Sequence, residues 1–349
     1  MQVKSLRGKD FIRISDFTKE EIVTMLEAGK ALKLENARGV PHEILKGKSI
    51  FLMFYAKSLR TRNSFETGIF QLGGHANFLT TDAVYEPAVE GKEQAYVTER
   101  LDDVANVLSR YGEAICIRIL GSSVDFVHGV AHKYMRAFAK AATVPVINME
   151  DDLYHPCQGM ADLMTMEEKM GTLEGKKIVM SWAYSPSRKK PVAVPQSMMA
   201  VSSLFGAHVV FARPKGFELD PDQIAHFKDN VARYGGSFTE TDDMKEAFKD
   251  ADVVYPKCWP SIEFLGHEGG KAADWKAQDK LFDQNKSWIA DEKIMKLTNR
   301  DCLYMHCLPC DRGFEVTDAV ADGPHSVIYD QAENRMHAQN GVMTIIMNG

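Results

Sequence analysis

The chain has 349 residues, too many for one ordinary core, so two domains are expected. With 45% hydrophobic and 26% charged residues, no low-complexity tract and no block of like charge, the composition is that of a globular protein. A net charge of -6 argues against nucleic acid or a membrane surface as partner; no apolar run reaches the roughly 20 residues that span a bilayer, and Lys4, Arg7 and Lys9 near the start lack the apolar stretch of a secretory signal.

In chain order, apolar runs of strand type alternate with amphipathic stretches, the pattern of an α/β protein built on parallel sheets. A helix over residues 18–34 opens with Thr18 and, three residues on, Glu21, a capping-box pair. Strand 49–55 leads to helix 64–72, strand 76–79 to helix 101–111, strand 114–118 to helix 134–141, and strand 144–148 to helix 160–170. After a break near residues 153–157 the alternation resumes. Strand 177–181 precedes helix 195–204, strand 208–212 precedes helices 221–234 and 244–249, and strands 253–256 and 302–306 follow. A last helix over 332–347 is able to return to the first half. The expected domains are therefore residues 1–153 plus 332–349, and residues 154–331, with no sequence repeat between them.

Ser58-Leu59-Arg60-Thr61-Arg62 sits after strand 49–55 and before a helix. Free backbone N–H groups and the positive end of a helix dipole gather at such a turn; two guanidinium groups and two hydroxyls make it a phosphate-sized site. Alone, the pentapeptide fits equally a helix N-terminus with surface arginines. His155 and Gln158 lie three apart where a helix should begin, with Pro156 in its first turn, so their side chains share a face. A His beside an amide suits a carbamoyl group, the one polarising the carbonyl and the other accepting from the NH2, although a capping His and a surface Gln look the same. His306-Cys307-Leu308-Pro309 and Lys257-Cys258-Trp259 follow strands of the second half, and Glu333-Asn334-Arg335 opens the last helix. In open parallel sheets ligands bind beyond the carboxyl ends of the strands, where all of these clusters but the last fall.

Six cysteines (Cys116, Cys157, Cys258, Cys302, Cys307 and Cys310) show no disulfide spacing and read as reduced thiols of a cytoplasmic protein. Cys307 and Cys310 form a CxxC, but no second pair completes a zinc site, and no metal is expected.

These motifs, with Phe65-Glu66 and Gln71-Leu72-Gly73-Gly74-His75, occur in the order and spacing of the aspartate/ornithine carbamoyltransferase family, which the chain resembles over nearly its whole length. The resemblance implies two α/β domains joined by crossing helices, a homotrimer with active sites shared between subunits, and no cofactor. It implies carbamoyl phosphate and a small amino acceptor as substrates. Ser58, Leu59, Arg60, Thr61, Arg62 and Arg118 then look like phosphate ligands. His155, Gln158, Cys307, Leu308 and Arg335 look like the carbamoyl pocket, with the main-chain carbonyls of Cys307 and Leu308 accepting from the NH2. Arg118, His155 and Thr61 are the implied catalytic groups, stabilising the oxyanion as an uncharged amine attacks the carbamoyl carbon.

The acceptor side departs from the ornithine members, which carry an Asp where this chain has Lys257; an α-ammonium facing Lys257 would be repelled. The segment Ser181-Trp182-Ala183-Tyr184-Ser185-Pro186-Ser187-Arg188-Lys189-Lys190-Pro191 resembles the proline-rich loop of the knotted N-acetylornithine/N-succinylornithine branch. On that likeness Tyr85, Glu99, Glu150, Tyr184, Ser185, Lys257, Trp259 and Arg312 are the acceptor-binding candidates, and an N-acylated or otherwise anionic amine is the expected acceptor. Ornithine itself is the alternative. After Leu308-Pro309 the chain has Cys310-Asp311-Arg312, placing Asp311 where that branch has an Arg, and Ser185 replaces a His. A nucleotide-binding oxidoreductase would need a Gly-rich fingerprint after a strand, which is missing. A catalytically silent carbamoyl-phosphate sensor would have lost the carbamoyl pocket, whereas Gln158 and Arg335 are both present.

Overall fold

A computed structural model of the chain describes residues 5–88, 91 and 93–348; Lys4 lies outside the described residues. The chain forms two compact units, Met1–Ala161 with Glu333–Gly349, and Asp162–Ala332. Among the described residues no helix is long and apolar enough to cross a membrane.

In the first unit the elements follow as α1 (Lys19–Ala37), β1 (Ser49–Phe54), α2 (Leu59–Gln71), β2 (His75–Thr80), β3 (Glu86–Ala88), β4 (Thr98–Arg100), α3 (Leu101–Leu108), β5 (Ala114–Arg118), α4 (Val130–Ala141), β6 (Val146–Glu150) and α5 (Pro156–Met170). A four-stranded parallel sheet runs in the order β2-β1-β5-β6, while β3 and β4 form a separate parallel pair. The near-continuous apolar run of β1 suits a central strand covered on both faces. Met53, Ile115, Ile117, Met135 and Phe138 form its fully buried core. The Thr18/Glu21 capping box is present in full. The last helix of the chain, Ile328–Asn348, crosses α1 at glycines: a Cβ on Gly341 would stand 2.3 Å from the Met25 carbonyl oxygen and 2.5 Å from the Gly29 nitrogen. No larger residue fits that approach.

Two boundaries differ from the sequence expectation in ways that matter for the site. Helix α2 begins at Leu59 rather than at residue 64, because the Ser58 hydroxyl caps it, accepting the Thr61 N–H at 3.2 Å. Strand β6 runs to Glu150 rather than ending at residue 148. A register shift beyond the Ile117–Asn148 pair skips Met149 and brings Glu150 opposite Arg118.

In the second unit β7 (Lys177–Trp182), α6 (Ala193–Leu204), β8 (His208–Ala212), α7 (Pro221–Tyr234), β9 (Ser237–Thr241), α8 (Met244–Phe248), β10 (Val253–Lys257), α9 (Trp275–Asp283), α10 (Glu292–Met295), β11 (Leu303–Tyr304) and α11 (Asp318–Ala321) lead into the last helix, α12. The five-stranded parallel sheet has the order β11-β10-β7-β8-β9. Strand β9 was not anticipated: apart from Phe238 its residues are polar, and all are half-buried or exposed at the sheet edge, so they carry no apolar run. Strand β11 has two residues rather than five, since the His306 N–H leaves the ladder for the Gln331 side chain at 2.9 Å. The proline-rich loop after β7 is tied to distant segments. Ala183 N–H donates to the Lys257 carbonyl at 3.0 Å, Tyr184 N–H to that of Trp288 at 2.8 Å, and Arg188 pairs with Asp279 at 2.9 Å.

Candidate active site

In the first unit the candidate residues gather at the carboxyl ends of β1, β5 and β6. Ser58 caps α2, so Arg60, Thr61 and Arg62 occupy its first turn, where N–H groups lack intrahelical partners. Arg62 lies over the Phe78 ring, 3.6 Å from its centroid, and reaches Glu66 at 3.3 Å. Arg118 pairs in register with Phe54 at the end of β1. The Glu150 carboxylate, aimed by the bulge, takes an ion pair from Arg118 Nη1, while His155 Nε2 stands 3.7 Å from the same oxygen. Arg118 Nε is buried and has no hydrogen-bond partner among the described residues. A buried, unsatisfied guanidinium N–H is costly and marks a place where an anion would be welcomed.

A second cluster of this unit centres on Arg335, only 3% exposed. Its guanidinium donates to Gln158 Oε1 at 2.8 Å, to Thr61 Oγ1 at 3.2 Å and to Gln339 Oε1 at 3.2 Å. Gln339 in turn donates to Ser64 Oγ at 3.0 Å. Thr61, Gln158 and Arg335, far apart in sequence, are thus joined. Gln339 and Ser64 escaped the sequence reading; the available signal was Gln339 one helical turn beyond Arg335. Tyr85 and Glu99 instead line a small cavity of about 130 Å³ with Met53, Tyr55 and Val104, and Tyr85 is 49% exposed.

In the second unit Lys257 ends β10 and is only 5% exposed. Its ammonium has no hydrogen-bond or ion-pair partner among the described residues, although Glu315, His306 and Cys258 all feel its charge. Glu315 is the buried hub of this unit. Its Oε1 accepts the Cys258 N–H at 2.7 Å and its Oε2 the Asp311 N–H at 2.7 Å, with Lys190 Nζ at 2.8 Å and His306 Nε2 at 3.4 Å. Burial alone would raise the Glu315 carboxyl, but the His306 Nε2–H facing it and the ammonium groups of Lys190 and Lys257 outweigh burial and hold the group well below the usual carboxylate range. His306 is held below its ordinary value by burial and is therefore neutral. Its Nδ1 accepts the Leu308 N–H at 2.9 Å, which leaves the proton on Nε2, facing Glu315. Leu308 carries φ +56°, a left-handed conformation that is strained for a side chain with a Cβ. Lys190 and Glu315 were not singled out in the sequence; the signal was a basic run inside the proline-rich loop and a lone Glu shortly after His306-Cys307-Leu308-Pro309.

Two candidates fall elsewhere. Trp259 is fully buried, stacks on Phe211 and donates its indole N–H to the Phe217 carbonyl at 3.1 Å, so it belongs to the core. Arg312 is committed to Asp318 at 2.8 Å and to Asp322 at 2.6 Å, because its side chain turns toward α11. Ser185 and Tyr184 lie in the proline-rich loop, Ser185 donating to Asp311. Cys307 and Cys310 are free thiols, as are the other four cysteines.

Two parallel-sheet units with polar clusters at their strand ends define an α/β protein with ligand-type sites beyond its strands. Residues 9–168 match the carbamoyl-P binding domain of aspartate/ornithine carbamoyltransferase, and residues 174–346 match its Asp/Orn binding domain. The chain therefore belongs to the aspartate/ornithine carbamoyltransferase family and is a carbamoyltransferase. It is 40% identical to the ornithine carbamoyltransferase of Thermococcus kodakarensis over 99% of both chains. It is also 36% identical to the N-acetylornithine carbamoyltransferase of Xanthomonas campestris pv. campestris, over 97% of this chain and 98% of that one. Its fold matches ornithine carbamoyltransferase from Pyrococcus furiosus with a TM-score of 0.84 at 38% identity, covering 99% of each chain. It matches acetylornithine transcarbamylase complexed with acetylcitrulline with a TM-score of 0.89 at 35% identity, covering 98% of this chain and 100% of that one.

Proposed function

We propose that the protein transfers the carbamoyl group of carbamoyl phosphate to the side-chain amine of a carboxylate-bearing acceptor whose α-nitrogen is acylated, such as N-acetyl-L-ornithine, and releases phosphate. Lys257 carries this reading. A cation 5% exposed at a strand end, without a direct counter-ion among the described residues, calls for an anionic ligand. A carboxylate supplies that charge, and acylation removes the ammonium that Lys257 would repel.

In this reading the first unit binds the donor. The α2 N-terminus with Ser58, Leu59, Arg60, Thr61 and Arg62 takes the phosphate, and the open Arg118 Nε–H adds a charge-assisted bond. Gln158, oriented by Arg335, and His155 hold the carbamoyl group. The uncharged amine attacks the carbamoyl carbon, and the bond from that carbon to the phosphate oxygen breaks. Phosphate leaves with the electron pair and takes the amine proton. Arg118, His155 and Thr61 stabilise the oxygen on which charge develops. We further infer a cytoplasmic homotrimer with shared sites, for which the half-exposed Tyr85 gives support, and assign the proline-rich loop to the knotted arrangement, supported by its ties to distant segments.

Ornithine itself is the second reading, favoured by the names of relatives such as the ornithine carbamoyltransferase of Thermococcus kodakarensis. The test is kcat/KM with carbamoyl phosphate for N-acetylornithine, N-succinylornithine, ornithine and putrescine, in the wild type and in Lys257→Met. The acylated acceptors should rank first. Losing one charge-assisted bond should lower their kcat/KM by about 10- to 150-fold in Lys257→Met, with the KM for carbamoyl phosphate unchanged. Ornithine outranking both acylated amines would refute the assignment.

A further inference from the structure

Around the Cys258 thiol, which also feels the Lys257 charge, the second unit holds an anion with an open edge. Asp311 Oδ2 accepts the Ser185 hydroxyl and lies 2.7 Å from Lys190 Nζ. Oδ1 has no hydrogen-bond partner among the described residues, and the side chain is 30% exposed. The carboxylate is rigidly mounted. Its own carbonyl accepts the N–H groups of Phe314 at 3.0 Å and Glu315 at 2.8 Å, while its N–H is held by Glu315. Ser185 Oγ accepts the Ser187 N–H at 2.9 Å, which directs the hydroxyl proton to Asp311. Lys190 is 13% exposed and is shared with Glu315 at 2.8 Å.

Charge around Cys258 balances: Lys190 and Lys257 against Glu315 and Asp311, all acting on the same thiol. The balance is uneven in space, however. Glu315 is fully buried and engaged on both oxygens, whereas Lys257 has no direct partner among the described residues and Asp311 offers one free oxygen. A ligand fitting both ends would bring an anion to the first and a hydrogen-bond donor to the second.

We propose that Asp311 is a specificity-determining residue that accepts, on Oδ1, a hydrogen bond from an N–H on the acceptor's α-nitrogen, with Ser185 and Lys190 as its positioning residues. This rests on the reading that the second unit binds the acceptor, and it narrows the class to amines carrying both a carboxylate and an adjacent N–H. Because Lys190 and Ser185 already compensate the Asp311 charge, a neutral amide N–H is sufficient. An acceptor without that donor leaves a desolvated carboxylate oxygen unpaired, which is how polar sites reject isosteres.

The experiment compares kcat/KM for N-acetylornithine, its Nα-methyl derivative, ornithine and 5-aminovalerate, in wild type, Asp311→Ala and Lys190→Met. In the wild type the N-methyl compound and 5-aminovalerate should each fall about tenfold or more below N-acetylornithine. In Asp311→Ala the gap should close to within about threefold, and Lys190→Met should narrow it in part. Equal use of the N–H and N–CH3 acceptors by the wild type would overturn the proposal, as would a gap that persists in Asp311→Ala and so reports a steric clash. If no acylated amine is turned over, the proposed function fails separately, and the pair ornithine and 5-aminovalerate then puts the same question to Asp311. A preference for ornithine abolished by Asp311→Ala supports the assignment, and one that survives the substitution refutes it.

Discussion

Replacing Glu315 by Gln tests whether the second unit is organised around a buried charge. The carboxylate accepts two backbone N–H groups at 2.7 Å and faces Lys190 at 2.8 Å. Gln offers one acceptor oxygen, so its NH2 must meet either the Cys258 N–H or the Asp311 N–H and Lys190, a donor facing donors. Breaking a buried ion pair by removing one partner is worth about 3–5 kcal/mol. Lys190 keeps Asp311 at 2.7 Å, so the lower end applies, and about 3 kcal/mol is expected. For a unit of this size that lowers Tm by roughly 6–12 °C. All four tryptophans, Trp182, Trp259, Trp275 and Trp288, lie in the second unit, so tryptophan fluorescence during urea unfolding reports on it alone. The pH dependence has a definite sign. The folded carboxyl lies below its ordinary value, so its contribution is full above the unfolded carboxyl pKa of about 4.3 and is lost as pH falls through the folded value. The stability gap between wild type and Glu315→Gln should therefore be widest above about pH 5 and shrink in acid. In a double-mutant cycle with Lys190→Met the two losses should overlap by about 1 kcal/mol or more. A loss below about 1 kcal/mol with an unchanged acid slope would refute the buried-hub account.

Arg335→Met removes the guanidinium that donates to the buried oxygens of Gln158 and Gln339, and turnover should fall by about 100-fold or more with a raised KM for carbamoyl phosphate. Steady-state kinetics near wild type would remove Arg335 from the donor site. Gly341→Ala should lower stability by about 1–3 kcal/mol, because the new Cβ meets backbone atoms of Met25 and Gly29 that cannot rotate away. Far-UV circular dichroism on thermal unfolding measures it, and an unchanged Tm would mean that α1 and α12 stand further apart.

Local chemistry made much of this protein legible in its sequence. Helix α7 was read to the residue, because Pro221 suits its first turn and Gly235 follows its last. The capping box at Thr18, the buried central strands and the polar clusters at strand ends are equally local patterns, each written within a few residues. Strand β9 and the four-residue helices α10 and α11 were missed, since segments so short or so polar depend on neighbours supplied by the rest of the unit rather than on their own periodicity. The β6 bulge that turns Glu150 toward Arg118 shows in no motif.

The sequence by itself thus determined the two-unit α/β class and the family, because those are fixed by residue type and short spacing. Only the tertiary structure decided which charges are already satisfied. It withdrew Arg312 to Asp318 and Asp322 and placed Trp259 in the core. It set Glu315 against Lys190 and Gln339 against Arg335, and it left Lys257 without a direct counter-ion among the described residues. Whether a side chain is spent on the fold or open to a ligand depends on partners brought from distant parts of the chain, and spacing along the sequence holds no record of them.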